Sequence, residues 1–192
     1  MDSTQGTGAT APAVALLAIM VAAISAMLLL APGRAAADSG GIGTEPPSGG
    51  KAGGQCRGNG DARLLDNGNA RAPRCAPRIV QRAIRAANKI SNTRYQWGGG
   101  HAGFQSKGYD CSGAVSYMLH GGGLLNTPLT SGSLAGWGQK RRGDWITIYA
   151  NSGHVYAVVA GLRWDTSGGP GPRWHADMRS QAGFTVRHPK GL

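Results

Sequence analysis

Apolar residues recur at helical spacing in two stretches of the chain. The first opens at Pro77, a residue type favoured at helix starts, and its apolar side chains return every three or four positions as far as Ile90. The second begins after Asp110, a residue type that caps helices, and stops at the three glycines of residues 121–123. The spacing predicts two helices that pack against each other through their apolar faces.

Runs of β-branched and aromatic residues dominate the second half of the chain. They predict strands over residues 145–150, 155–163, 173–176 and 184–187, whereas residues 124–138 have few apolar anchors and are predicted to form a loop. Helices followed by a meander of antiparallel strands are typical of the α+β class. We therefore expect N-terminal helices packed on a small antiparallel β-sheet.

Residues 11–31 are almost wholly apolar and carry no charge. The small residues that end at Ala37 are typical of a signal-peptidase site, but the apolar stretch is long enough to span a bilayer if it is left uncut. Residues 1–37 are therefore predicted to be a signal peptide or a membrane anchor, with cleavage favoured. The protein is expected to be secreted or held in the cell envelope, and to contact a membrane only if this segment is uncleaved.

Residues 38–76 are predicted to be a flexible linker, because they are rich in glycine and proline and show no periodicity. In an exported protein, Cys56 and Cys75 are expected to form a disulfide, which leaves Cys111 as the free thiol. The alternatives are two free thiols or a metal site. No metal site is predicted, because these cysteines lie far apart and form no Cys-x-x-Cys pair. The folded domain is then predicted to span residues 77–192.

The chain of 192 residues has a formal net charge of +11, and the excess is larger after residue 50, where 19 lysines and arginines face six acidic residues, a net charge of +13. Such a surface favours polyanions. An export signal and the absence of a nucleic-acid motif argue against nucleic acid, so anionic wall polymers are the expected partners. The alternative is that the arginine content reflects a compositional bias of the sequence toward alanine, glycine and arginine. The basic residues on the first helix are, by the same reasoning, either a solvated outer face or a polyanion patch.

Cys111 falls in the first turn of the second predicted helix. Free backbone N–H groups and the positive end of the helix dipole favour an anion there, which is the reactive thiolate form of cysteine. The alternative is a buried, inert thiol.

His154 lies at the mouth of an apolar predicted strand, where an imidazole is held rigidly enough to act as a base for a thiol. His175 lies on the next predicted strand and could orient that imidazole. His101, His120 and His188 show no ligand spacing and are predicted to be surface residues.

Four short motifs in the order of the chain resemble the NlpC-type cell-wall peptidases. They are Tyr95-Gln96-Trp97-Gly98-Gly99, Tyr109-Asp110-Cys111-Ser112-Gly113, Arg142-Gly143-Asp144-Trp145 and Gly153-His154-Val155. An ordered series of this kind is far more specific than any one motif.

The resemblance implies a papain-like fold and a cysteine endopeptidase that cuts peptidoglycan stem peptides between γ-D-glutamate and a diamino acid, without a cofactor. It also implies that Tyr95, Trp97, Asp110 and Ser112 line the substrate groove.

The chain departs from the family pattern after the histidine strand. The stretch that separates His154 from His175 is longer than usual because of residues 164–172. Asp165 is therefore the alternative third catalytic residue, since a carboxylate can orient an imidazole equally well.

Two other functions stay open at the level of sequence. One is a catalytically inactive cationic module that binds the wall, and the other is a Cys/His amidase or acyltransferase of the same architecture. Titration of an active-site thiol separates the first from a peptidase, and product analysis separates the second.

Overall fold

The computed structural model describes residues 60–192, all of which belong to one compact unit, Pro47–Leu192. The predicted signal segment, most of the predicted linker and Cys56 lie outside the described residues. The Cys56–Cys75 disulfide therefore stays a prediction. Within residues 60–192, no helix is both long and apolar enough to cross a bilayer.

The folded domain begins earlier than residue 77. Strands β1 (Arg63–Leu64) and β2 (Ala70–Arg71) form a small antiparallel hairpin. The hairpin has no core of its own, but Ala62 and Ala70 are buried against the rest of the domain. The side-chain amide of Asn88 accepts from the Ala70 N–H at 2.9 Å and donates to the Ala70 carbonyl at 2.8 Å. Docking through small residues and an asparagine leaves no hydrophobic periodicity, which is why this part was predicted to be linker.

Both predicted helices are present. Helix α1 is Arg78–Ile90 and helix α2 is Cys111–Gly122. One face of α1 is buried and the other is exposed, whereas α2 is buried on nearly all sides, as expected for a central helix. Gly123 caps the C-terminus of α2, and its φ of 83° is the left-handed conformation that glycine adopts most readily after a helix.

The predicted loop of residues 124–138 contains a third helix, α3 (Ser131–Gly136). Its first turn is capped by Thr130, whose hydroxyl accepts from the Ser133 N–H at 3.2 Å. A helix of six residues shows too little periodicity to be recognised in the sequence.

One antiparallel sheet of six strands follows the helices. The strands are β3 (Gln139–Lys140), β4 (Ile146–Ala150), β5 (Val155–Val159), β6 (Leu162–Asp165), β7 (Arg173–His175) and β8 (Thr185–His188). Their order across the sheet is β3-β8-β4-β5-β6-β7. The predicted α+β class, with N-terminal helices on an antiparallel sheet, is confirmed.

The single strand predicted over residues 155–163 is two strands. Ala160 and Gly161 both have positive φ, 45° and 83°, and form a tight turn between β5 and β6. This turn geometry normally requires glycine, asparagine or aspartate. Because alanine stands at its first position, the turn could not be recognised in the sequence. The turn matters for the site, because it sends the chain back alongside β5 and returns Asp165 toward the start of that strand.

One hydrophobic core joins the buried face of α1, helix α2 and the sheet. Trp164 on β6 is fully buried, and its indole Nε1 donates to the Ala114 carbonyl of α2 at 3.2 Å. This contact fixes the beginning of α2 against the strand that ends at Asp165.

Candidate active site

Cys111 is the first residue of α2 and is partly exposed in a cleft of about 540 Å³. One side of the cleft is formed by the chain that precedes α2, and the other by His154 and by residues 166–167 after β6. Helix α3, which the sequence did not predict, adds Thr130 and Ser131 to the lining. The thiol therefore faces a solvent-accessible cavity of a size that accommodates part of a peptide.

Asp110 holds the helix start in place beside the cleft. Its Oδ1 accepts from the Gly113 N–H at 2.7 Å, which is the usual capping bond, and its Oδ2 accepts from the Gly98 N–H at 3.1 Å. One buried carboxylate therefore links the first turn of α2 to the glycine turn of residues 98–100. Gly113 is required for this arrangement, because a Cβ there would collide with the carbonyl oxygen of Gly99.

His154 directly precedes β5 and is fixed through its backbone, since its N–H donates to Asn151 Oδ1 at 2.9 Å. Its ring Nε2 lies 2.9 Å from Asp165 Oδ1. A carboxylate only accepts hydrogen bonds, so Nε2 is the donor. The other ring nitrogen, Nδ1, is left free for Cys111, which lines the same cleft and is close enough to contribute to the raised pKa of the imidazole.

The electrostatic surroundings favour a protonated His154. Burial lowers its pKa, but hydrogen bonds with Asp165 and Cys111, together with the negative charges of both, raise the pKa from 6.5 to about 9. An imidazolium beside a thiolate is the reactive pair of a cysteine nucleophile. The site therefore keeps the imidazole protonated next to Cys111 near neutral pH.

Asp165 is buried and fully engaged. Besides His154, its Oδ1 accepts from the Ser167 N–H at 3.0 Å, and its Oδ2 accepts from Arg163 at 2.6 Å and Arg179 at 3.1 Å. Burial raises the pKa of Asp165, but its hydrogen bonds with His154, Ser167 and Arg163 outweigh burial and hold the pKa far below its usual range. The carboxylate is therefore charged and oriented toward the imidazole.

His175 does not contact His154. It lies opposite Arg163 in the register of β6 and β7, and its Nδ1 is 3.8 Å from Asp177 Oδ1. Burial and the positive charge of Arg163 lower its pKa. His175, which was predicted as the third catalytic residue, is therefore separated from the His154 imidazole by one strand. Asp165, the alternative, lies next to the imidazole instead. The reason is the turn at residues 160–161, which inserts β6 between the strands of the two histidines.

Tyr95 and Trp97 lie at the rim of the cleft. Tyr95 is 43% exposed and lines the same cleft as Cys111. Burial, followed by the charges of Cys111 and Asp110, raises its pKa. Trp97 is 87% exposed. Ser112 is buried instead, and its hydroxyl donates to Asp110 Oδ1 at 3.1 Å.

His101 is a residue of the cleft, not of the outer surface as predicted. Its Nε2 lies 3.0 Å from Asp110 Oδ2 and 3.1 Å from Ser112 Oγ, so it braces the residues on both sides of Cys111. The sequence signal is weak: a histidine directly after a triple-glycine turn, nine residues before a capping aspartate. His120 is exposed and stacks on Phe104, with ring centroids 3.7 Å apart.

No protein-family model and no curated protein matches the sequence. Among solved structures, the chain is similar to the peptidoglycan hydrolase RipB from Mycobacterium tuberculosis, at 27% identity over 59% of this chain and 68% of that one, with a TM-score of 0.47. It is also similar to RipD from the same organism, a non-catalytic NlpC/p60 domain protein adapted to peptidoglycan binding, at 20% identity over 59% of this chain and 98% of that one, with a TM-score of 0.45.

A third similar structure is the P60 domain from antigen MAP1204 of M. avium subspecies paratuberculosis, at 23% identity over 57% of this chain and 93% of that one, with a TM-score of 0.44. The chain spans about two thirds of the length of the RipB chain that it matches. The solved structures that this chain resembles are thus NlpC/p60 domain proteins, the family that its own sequence motifs resemble.

Proposed function

We propose that the protein is a cysteine peptidase that cleaves amide bonds in the stem peptides of peptidoglycan, with Cys111, His154 and Asp165 as its catalytic triad. The observation that carries the proposal is the position of His154, which bonds to a buried, charged Asp165 through Nε2 and lines the same cleft as Cys111. Nucleophile and base therefore line one open cleft, and the orienting carboxylate is buried next to the imidazole.

In the first half of the reaction, the Cys111 thiolate attacks the carbonyl carbon of the scissile amide. The oxygen gains negative charge in the tetrahedral intermediate, and the backbone N–H of Cys111, at the start of α2, is placed to donate to it. His154 then gives its proton to the leaving nitrogen, the C–N bond breaks, and an acyl group stays on the sulfur.

In the second half, neutral His154 takes a proton from water, and the resulting hydroxide attacks the thioester. The thiolate leaves and the carboxylic acid product is released, which restores the imidazolium and thiolate pair. Asp165 stabilises the imidazolium in both halves through its charge and through the bond to Nε2.

The substrate class follows from the sequence motifs. They imply cleavage between γ-D-glutamate and a diamino acid, with Tyr95 and Trp97 in contact with the peptide. The rim positions of these two aromatic residues support that reading, since they are two of the three large apolar side chains that are exposed within residues 60–192. We assign Asp110 and Ser112 a positioning role instead of substrate contact, because their hydrogen bonds hold the first turn of α2, which carries Cys111.

The test is product analysis on purified peptidoglycan. Wild-type protein should release fragments whose masses identify a cut within the stem peptide, and Cys111→Ala should release none. Prior alkylation of the wild type should have the same effect as this substitution. Fragments with an intact stem peptide but a cut at another amide would favour the amidase alternative.

An inactive wall-binding module is the other outcome, and RipD shows that an NlpC/p60 domain protein can be non-catalytic. In that case wild type and Cys111→Ala would bind peptidoglycan equally and release nothing. Slow alkylation of Cys111 in the native protein would support the same conclusion, because it would indicate a thiol that is not activated.

We also propose that the protein acts outside the cytoplasm, after cleavage behind Ala37 and with Cys56 bonded to Cys75. The mass of the intact protein recovered from the culture medium or envelope tests both parts. Cleavage should remove residues 1–37, and reduction should add two hydrogen masses to the chain.

A further inference from the structure

The outer face of α1 carries a row of four positive charges. Arg78, Arg82, Arg85 and Lys89 are all exposed, while the opposite face of the helix is buried. At 1.5 Å per residue the row is about 16 Å long, with neighbouring charges roughly 5 to 6 Å apart along the axis. We refer to these four residues as the α1 basic face.

These charges have no acidic partners in the described structure. Helix α1 contains no acidic residue, and none of the ion pairs found within residues 60–192 includes a member of the α1 basic face. Three of the six acidic residues of this region, Asp110, Asp165 and Asp177, are paired with histidine and arginine at or beside the cleft. Like charges three and four positions apart on a helix each cost about 0.2 to 0.5 kcal/mol. The α1 basic face is therefore electrostatically unfavourable for the free protein.

The face is also partly organised. Arg82 Nη2 donates to the Gly122 carbonyl at the end of α2 at 2.9 Å, and Gln81 Nε2 donates to the Ala76 carbonyl at 2.8 Å. Together with Arg78 and Arg85 they surround a hollow of about 250 Å³. Three guanidinium groups at one hollow, one of them already held by a backbone carbonyl, suit an anion that accepts several hydrogen bonds.

We infer that the α1 basic face binds a phosphate-bearing polymer of the cell envelope. Guanidinium groups match the geometry of phosphate oxygens and can bond to them in pairs. A row of charges suits an extended polymer better than a single small anion. Nucleic acid is disfavoured because α1 has no aromatic residue on which a base could stack. The bound anion would relieve the repulsion within the row, and the inference does not depend on the catalytic triad.

The experiment measures binding of the protein to isolated cell-wall material, before and after hydrofluoric acid removes polymers attached through phosphodiesters. The test variant replaces Arg78, Arg82, Arg85 and Lys89 by glutamine. The matched control replaces Lys107, Lys140, Arg142 and Lys190 by glutamine, which removes the same charge from exposed positions elsewhere. Both carry Cys111→Ala so that cleavage cannot release the protein.

We expect the control to bind untreated wall like the parent and the test variant to bind at least about tenfold more weakly. The slope of log affinity against log salt should fall by roughly one for each arginine that contacts a phosphate. Acid treatment should weaken the parent and leave the test variant unchanged. Equal binding by the test and control variants would overturn the inference, and so would parent binding that survives the acid treatment.

A second variant guards against a folding defect, since Arg82 also supports the end of α2. Arg78→Gln, Arg85→Gln and Lys89→Gln together leave the Arg82–Gly122 bond intact and should still weaken binding. At low salt this triple variant should also melt at a temperature equal to or above that of the parent, because it removes like-charge repulsion. Lower thermal stability would contradict the electrostatic argument.

Discussion

Asp165 Oδ1 accepts from His154 Nε2 at 2.9 Å, although the two residues are eleven positions apart in the chain. The two-residue turn between β5 and β6 makes this contact possible, because the antiparallel register that pairs Ala157 with Trp164 brings the end of β6 next to the start of β5. The carboxylate that faces the imidazole is thus supplied by the hairpin that carries the histidine. Substitutions of Asp165 and of His154 are therefore expected to have different effects.

Asp165→Asn should lower the rate of peptide hydrolysis by about ten- to thousandfold, since an orienting group matters less than the nucleophile or the base. It should also lower the pKa of His154 from about 9 toward 6.5, because the largest contribution that raises it, the hydrogen bond to a charged carboxylate, is replaced by a bond to a neutral amide oxygen. The alkaline limb of the pH–rate profile should then move to lower pH. The rate of Cys111 alkylation as a function of pH gives the same information without requiring turnover.

His175→Ala is the matched control for that variant. It removes an imidazole from the adjacent strand without touching the His154–Asp165 bond, so the alkaline limb should stay where it is in the wild type. A shifted limb in His175→Ala, with an unshifted one in Asp165→Asn, would return the orienting role to His175.

Cys111→Ala and His154→Ala should each abolish turnover, and the double variant should be no worse than either one. Nucleophile and base act as one unit, so their effects on the rate do not add. Release of peptide fragments over time, by mass spectrometry, measures all three. Wild-type rates in His154→Ala would be incompatible with the proposed mechanism, because no other histidine in residues 60–192 bonds to Asp165.

Arg163→Met should destabilise the fold by roughly 3 kcal/mol, since it leaves the buried Asp165 without its shortest hydrogen bond. Arg179→Met should cost less, about 1 kcal/mol, because Arg179 is one-third exposed and its bond to Asp165 is longer. Urea unfolding measures both. Equal losses would show that the two guanidinium groups share the carboxylate evenly, contrary to the distances.

Thermal stability should have a plateau between two limbs. The pKa of His154 is raised in the folded protein, so its contribution is complete below about pH 6.5 and is lost as the pH rises through about 9. The pKa of Asp165 is lowered, so its contribution is complete above its usual titration range near pH 4 and is lost as the pH falls through and below that range. Melting temperatures of wild type and Asp165→Asn across this range test the assignment. The substitution should flatten both limbs, since it removes one partner of the pair.

Gly113→Ala should destabilise the protein by about 2 kcal/mol or more and lower activity, because the new Cβ would push α2 away from the Gly99 carbonyl and disturb the turn that faces Cys111. Gly103→Ala is the control, since a Cβ at residue 103 would have no neighbour within 4 Å. Chemical unfolding and Cys111 alkylation rates report the two effects separately. Normal stability of Gly113→Ala would mean that the contact can relax.

Local features of the sequence were sufficient for the helices and the fold class. The apolar stripe of α1, the capping aspartate and triple glycine of α2 and the β-branched runs are encoded within a few residues, so they can be recognised without tertiary information. Cys111 and His154 became candidates in the same way, because a helix start and a strand start are local signals. The α1 basic face could also be listed from the sequence, but its lack of acidic partners in the described structure could not.

Tertiary structure alone decided which group faces His154, where the folded domain begins and that His101 belongs to the cleft. Each of these depends on a contact between distant residues or on a backbone conformation that the residue types did not indicate. Ala160 adopts a left-handed conformation that is more typical of glycine, asparagine or aspartate. The turn that it forms brings Asp165, and not the predicted His175, beside the His154 imidazole. The sequence determined which side chains were available for the site, and the register of one hairpin, set by the packing of the whole sheet, determined which of them could meet.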